Sequence, residues 1–115
     1  GLPLEIWGDG SVVRDYLYVS DVAEAFAKAV DYEGEKSVFN ISSSVGTSLK
    51  EIIAMIEQVL CRKIVCNYHQ ARSFDVPVSI LNNDLAYQEL NWKPTVELVE
   101  GIQKTALWMS QVLSK

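Results

Sequence analysis

The stretch Ser48-Leu49-Lys50-Glu51-Ile52-Ile53-Ala54-Met55-Ile56-Glu57-Gln58-Val59-Leu60 decides how the rest of the chain reads. Ser48 with Glu51 three positions later is a capping box, in which the two side chains satisfy backbone N–H groups that a helix start leaves open. A helix beginning there puts Leu49, Ile52, Ile53, Ile56, Val59 and Leu60 on one apolar stripe. Residues 63–68 then return as a strand rich in apolar and β-branched groups. A helix that hands over to a strand, repeated along the chain, argues for an α/β domain.

Toward the N-terminus, Pro3-Leu4-Glu5-Ile6-Trp7 alternates its larger apolar groups and then meets Gly8-Asp9-Gly10, a strand followed by a turn. Residues 12–19 read as a second extended segment. Ser20 or Asp21 then caps a helix that places Val22, Phe26, Ala29 and Val30 on one face, and Gly34 closes that unit. Residues 37–41 read as a short apolar strand ending in Ser42-Ser43-Ser44. Toward the C-terminus, residues 71–81 read mostly as loop around Pro77, and Asn83 caps a short helix over 84–90. Pro94 breaks the chain, and Thr95 opens a final helix with Leu98, Ile102, Ala106, Met109 and Leu113 at helical spacing. The expected domain therefore alternates short strands with about four helices, without internal repeats.

The 115 residues are 49% hydrophobic and 22% charged. That is one domain's worth of polymer, apolar enough to offset its ordering entropy by burial. No stretch approaches ~20 uncharged apolar residues, so no membrane span is expected, and no secretion signal is visible. Ten Lys plus Arg against fifteen Asp plus Glu give a net charge of −5. Nucleic-acid coating needs a basic footprint, which this composition lacks. An anionic ligand must then be held by a few local arginines and backbone N–H groups. Cys61 and Cys66 are spaced neither as a redox pair nor as half of a usual zinc site, and read as reduced thiols of a cytoplasmic protein.

The single histidine, His69, has no nucleophile elbow nearby and reads as an exposed or hydrogen-bonded bystander. No cluster of His, Cys, Asp and Glu suggests a metal. Gly8 and Gly10 begin a G-x-G-x-x-G pattern, but position 13 is Val and no helix opens there, so the dinucleotide fingerprint fails. Tyr32 and Lys36 have Tyr-x-x-x-Lys spacing, yet they span an acidic, glycine-broken helix exit where neither partner is firmly placed. That pair is rejected as a catalytic dyad.

Two arginines are more informative. Arg14-Asp15-Tyr16 puts a guanidinium in an apolar extended segment, where charge is costly without a partner. Arg72-Ser73-Phe74-Asp75 puts a guanidinium and a carboxylate three positions apart in a loop. The planar fork of arginine suits phosphate oxygens, and a carboxylate can accept from sugar hydroxyls. Equally, each arginine could simply pair with Asp15, Asp75 or a glutamate.

The order of these pieces resembles the C-terminal part of the extended short-chain dehydrogenase/reductases that act on nucleotide sugars. The motifs are Gly1-x-Pro3-Leu4-x-Ile6-x-Gly8-Asp9-Gly10, then Arg14-Asp15-Tyr16-Leu17-Tyr18-Val19-x-Asp21-Val22-Ala23-x-Ala25, then Val38-Phe39-Asn40-Ile41. Arg72-x-x-Asp75-Val76-Pro77, Leu90-x-Trp92-x-Pro94-Thr95 and Glu100-Gly101-Ile102-x-x-Thr105-x-x-Trp108 follow in the same order. Asp15-Tyr16 is nearer to the UDP-glucose 4-epimerase-like group than to the dehydratases, which more often carry Asp-Trp.

The resemblance implies that Arg14 and Arg72 clamp the diphosphate of a UDP-sugar and that Asp75 binds the ribose hydroxyls. It implies that Trp7 lies beside the base, with Tyr16 near the site or packed. It also implies that residues 1–115 are a nucleotide-sugar-binding region, the last third of a larger enzyme. In such an enzyme the NAD site and the catalytic Tyr-x-x-x-Lys belong to an N-terminal Rossmann part absent from this chain, which itself supplies no catalytic, cofactor or metal residue. The parent would be an NAD-dependent isomerase inverting C4 of the sugar through a 4-keto intermediate. Dehydratase or reductase chemistry on another nucleotide sugar, and a free-standing non-catalytic binding module, are the alternatives. Without its partner domain the chain is expected to self-associate. Three positions depart from the family pattern: Ser42-Ser43-Ser44 in place of a glycine turn, Asn82 for a frequent aspartate, and Asn91 for a frequent glycine. Serine is penalised at positive φ, so a turn of different shape is expected at 42–44.

Overall fold

The computed structural model describes residues 2–113; Gly1, which opens the first family-like motif, lies outside them. In chain order these residues form β1 (Leu4–Trp7), β2 (Val13–Asp15), α1 (Val19–Val30), β3 (Gly46–Ser48), α2 (Leu49–Leu60), β4 (Cys66–His69), β5 (Val78–Ser79), α3 (Asp84–Leu90) and α4 (Leu98–Leu113). The α/β class and the four helices agree with the sequence. No described helix is long and apolar enough to cross a membrane.

Two small sheets carry the strands. β1 and β4 run parallel, with Leu4 opposite Cys66 and Trp7 opposite His69. β2 is the centre of the other sheet, antiparallel to β3 and parallel to β5. At the turn between β1 and β2, Gly8 and Gly10 hold φ of 88° and 81°, which glycine reaches without a Cβ penalty.

The capping box forms as read: the Ser48 hydroxyl accepts from the Glu51 N–H, and the Glu51 carboxylate accepts from the Ser48 N–H at 2.7 Å. The core gathers Ala25 of α1, Ala86 and Leu90 of α3, and Trp92, with Leu17, Tyr32, Phe39 and Ile41 packed against them. Trp92 is 1% exposed, and its indole N–H donates to the Asp21 carbonyl at 2.9 Å.

Several expectations need correction. Residues 37–41 form no strand. Phe39 and Ile41 turn into the core, but no described strand lies alongside to complete the hydrogen bonds that a strand requires. Of residues 12–19 only Val13–Asp15 are laddered, and residues 63–65 precede rather than begin β4. Helix α1 starts at Val19, with Tyr18 at the N-cap and no side-chain cap. Its buried residues are Asp21 and Ala25, whereas Phe26 and Val30 of the expected face are exposed. Asn83 does occupy the α3 N-cap, but its amide donates to the Ser42 carbonyl, and Asn82 Oδ1 accepts the Asp84 N–H instead. The last helix begins at Leu98 rather than Thr95, and its stripe is covered only over Leu98, Ile102 and Ala106.

Thr95 is used elsewhere. The Asp21 carboxylate, 1% exposed, accepts the Thr95 hydroxyl at 2.8 Å and the Val96 N–H at 3.0 Å. A buried carboxylate persists only when its oxygens are bonded in this way. Asp21→Ala is expected to lower the unfolding free energy by about 1–3 kcal/mol, because it removes the acceptor of two part-buried donors. Urea unfolding measures this, and an unchanged midpoint would contradict the role given to Asp21.

Candidate functional site

β1 and β4 point the same way, so their C-terminal ends deliver two loops to one end of the molecule. This is the end of parallel strands at which α/β sheets bind ligands. Gly8 continues the pairing by donating to the His69 carbonyl at 3.0 Å. The loop after β4 turns tightly, with the Asp75 N–H bonded to the Arg72 carbonyl at 3.2 Å, and then reaches Pro77, whose carbonyl accepts the Val13 N–H at 2.9 Å. The 72–76 turn is thus tied to β2 immediately beside Arg14.

Arg72 lies within that turn and Arg14 is anchored on it. Arg14 Nη1 donates to the Val76 and Val13 carbonyls, both at 2.8 Å. Arg72 forks onto Asp75, Nε to Oδ2 at 3.0 Å and Nη2 to Oδ1 at 3.3 Å. The ion-pairing alternatives raised by the sequence are therefore decided for both arginines. Arg72 pairs with Asp75; among the described residues Arg14 pairs with no carboxylate. Asp15 serves the backbone, accepting from the N–H groups of Ser43, Ser44 and Leu81.

Trp7, at the end of β1, is half-exposed and presents its ring to the Arg72 guanidinium, whose Cζ lies 5.3 Å from the ring centroid. Phe74 meets Arg72 at the same distance. The His69 ring sits 5.3 Å from that of Trp7, inclined at 30°. Arg14, Arg72, Asp75 and Trp7 thus belong to one end of the molecule. Tyr16, expected near the site or packed, lines an apolar cleft of about 450 Å³ with Leu17, Tyr18, Ile56 and Ile102. No hydrogen bond, ion pair or ring contact joins it to the other four residues. Phe74 was missed by the sequence reading, because an aromatic in a loop carries no periodic signal.

His69 is hydrogen-bonded, to the Glu5 carboxylate, which also accepts from Asn67 Nδ2 at 2.9 Å. The His69 bond first, and then that of Asn67, hold the Glu5 carboxyl below the ordinary glutamate range. Tyr32 behaves in the opposite sense to a catalytic base. Burial, and then the Glu89 carboxylate that takes its hydroxyl at 2.7 Å, push the phenol above its ordinary range. Lys36 meets that phenol through its backbone N–H, at 3.3 Å.

The chain resembles known proteins over nearly all its length. The family model described as GDP-mannose 4,6 dehydratase matches residues 2–105. A dTDP-4-dehydro-6-deoxyglucose reductase of Escherichia coli is 38% identical, over 90% of this chain and 33% of that protein. A UDP-glucose 4-epimerase of Rhizobium meliloti (strain 1021) is 39% identical, over 90% of this chain and 32% of that protein. The chain spans about a third of the length of these relatives. The structure of a Thermotoga maritima UDP-glucose 4-epimerase with UDP-glucose superimposes with a TM-score of 0.89 at 34% identity, covering 96% of this chain and 36% of that one. MoeE5 in complex with UDP-glucuronic acid and NAD gives 0.90 at 28% identity, covering 96% and 37%.

The lowered Glu5 carboxyl makes a testable link. The stabilisation that Glu5 gains from its partners is present above the ordinary glutamate pKa and is lost as pH falls through the lowered folded value. His69→Ala is expected to move the Glu5 titration upward, observed by carboxyl carbon-13 NMR. A Glu5 that already titrates in the ordinary range in the unmutated chain would refute the pairing.

Proposed function

The chain belongs to the nucleotide-sugar branch of the extended short-chain dehydrogenase/reductases, the family described as GDP-mannose 4,6 dehydratase, and on that premise we propose that residues 1–115 are the nucleotide-sugar-binding region of a UDP-glucose 4-epimerase-like enzyme. One observation carries the reading: Arg14 and Arg72, far apart in sequence, are both anchored on the 72–76 turn beside the half-exposed ring of Trp7. A guanidinium has five N–H donors, and each arginine commits two of them to the protein. What remains on both is a planar, permanently charged donor edge of the kind that binds phosphate oxygens in pairs.

In this reading the two guanidinium groups hold the diphosphate of a UDP-sugar. Asp75 keeps lone pairs for ribose hydroxyls while bonded to Arg72, and Trp7 offers a π-face to the base. A grip confined to the nucleotide leaves the sugar free to present either face of C4 to the reacting groups.

The described residues do not form an NAD site. Gly8-Asp9-Gly10 turns from one strand into the next instead of opening a helix, and Tyr32 is committed to Glu89 as a donor. We therefore assign NAD binding, with the hydride and proton transfers, to a Rossmann part outside these residues, in the cytoplasmic parent enzyme. The chain alone is expected to turn over no substrate. A reductase or dehydratase parent is the second reading, favoured by the 38% identity to the dTDP-4-dehydro-6-deoxyglucose reductase. Product analysis of the parent separates the two.

The exposed side of α1 supports a missing neighbour. Val19, Phe26 and Val30 are 69%, 72% and 82% exposed, and they fall on one stripe at helical spacing. The isolated chain is expected to self-associate through this face, with Phe26→Ser shifting it toward monomer in sedimentation velocity. A monomer at high concentration that binds no apolar dye would contradict this.

Calorimetry with UDP tests the clamp. Weak binding by the chain, further weakened about ten- to a hundredfold by Arg72→Ala or Arg14→Ala, is the expected result, since a charged hydrogen bond contributes about 1.5–3 kcal/mol. Equal affinity in both variants and the unmutated chain would sink the reading.

A further inference from the structure

Phe74 is 76% exposed, yet its ring is not idle. It faces the Arg72 guanidinium, with Cζ 5.3 Å from its centroid, while Trp7 meets the same group from β1, also at 5.3 Å. The Asp75 carboxylate holds one edge of the guanidinium through Nε and Nη2. Arg72 is therefore constrained by two aromatic rings and a carboxylate, and its Nη1 makes no hydrogen bond to another described residue. An unconstrained arginine would lose rotamer freedom on binding an anion. This one has already lost most of it.

We propose that Phe74 is a positioning residue, which with Trp7 and Asp75 cages the Arg72 guanidinium so that its Nη1 edge is aimed at an incoming diphosphate. The proposal rests on the reading of Arg72 as a diphosphate ligand. Phe74 touches the anion only through Arg72, and its contribution is the cation–π attraction of its ring face. Tyrosine keeps that face. Leucine keeps apolar bulk but has no quadrupole.

The test is titration of the full chain with inorganic pyrophosphate, which lacks base and ribose, in four forms: unmutated, Phe74→Leu, Phe74→Tyr and Arg72→Ala. A surface cation–π contact is worth enough to change affinity about two- to fivefold. Phe74→Leu should weaken pyrophosphate binding by that factor, and Phe74→Tyr should restore it to within about twofold. Melting temperatures of both should be unchanged, because an exposed ring in a turn supports little packing. If Arg72→Ala weakens binding while Phe74→Leu matches the unmutated chain, the caging role is overturned and the clamp survives. If Phe74→Leu and Phe74→Tyr weaken binding alike, the ring face is not what matters and the proposal fails. If Arg72→Ala binds pyrophosphate as the unmutated chain does, the diphosphate reading falls and takes the cage with it.

Discussion

A carboxylate taken out of water must find donors, and in this chain that requirement organises the tertiary structure. Asp21 is almost wholly buried, and the donors it finds are the Thr95 hydroxyl and the Val96 N–H, more than seventy residues away. Its backbone carbonyl takes the Trp92 indole N–H. Through one residue, the start of α1 is fixed to the segment between α3 and α4, and Trp92 is locked into the core. Asp15 does the same for the other half. Its carboxylate binds the Ser43 and Ser44 N–H groups and that of Leu81, joining the end of β2 to the serine turn and to the chain leaving β5. Between these two staples lies the short link from β2 to α1. Arg14 sits one residue before Asp15, so its backbone position is set by the same network that holds the fold.

The Asp15 staple also bears on one departure from the family pattern, the serine turn. Ser44 adopts φ of 59°, which costs a serine energy. The penalty is offset locally: Asp15 accepts its N–H, and its hydroxyl donates to the Leu81 carbonyl at 2.9 Å. The turn keeps a left-handed residue without a glycine. Asn91 likewise takes φ of 48° at the end of α3, a conformation that asparagine tolerates better than most residues.

What could be read from sequence was local, and what could not was a matter of partners. Ser48 and Glu51 satisfy each other within one turn, so the start of α2 is written in four residues. Gly8 and Gly10 mark their turn for the same reason. Residues 37–41 have the composition of a strand, but a strand is a property of two segments, and no described neighbour supplies the second. The apolar face of α1 fails similarly: periodicity identifies a stripe, and only the rest of a structure says what covers it. At the site, Arg72 and Asp75 are three residues apart and their pairing was a stated possibility. That Arg14 would reach the Val76 carbonyl could not be seen, because it depends on the parallel pairing of β2 with β5. Tyr16 shares a motif with Arg14 and lines the apolar cleft, the packing role that its sequence left open beside a place near the site.

The charge balance gives the proposed preorganisation of Arg72 for a diphosphate a physical reason. A chain of net charge −5 repels a diphosphate at long range, and salt screens that repulsion over about 8–10 Å. Attraction must then come from groups that act inside that distance. A mobile surface arginine would have to give up its freedom, against the field, at the moment of binding. Fixing the guanidinium in advance moves that entropy loss into folding, where the cooperative structure absorbs it. Asp75 contributes to the fixing but lowers the net positive charge of the site. Neutral rings constrain the guanidinium faces without cancelling any of its charge. In an acidic protein, aromatic faces are thus the less costly way to hold still an arginine proposed to bind an anion, and Trp7 and Phe74 are the two rings that meet Arg72.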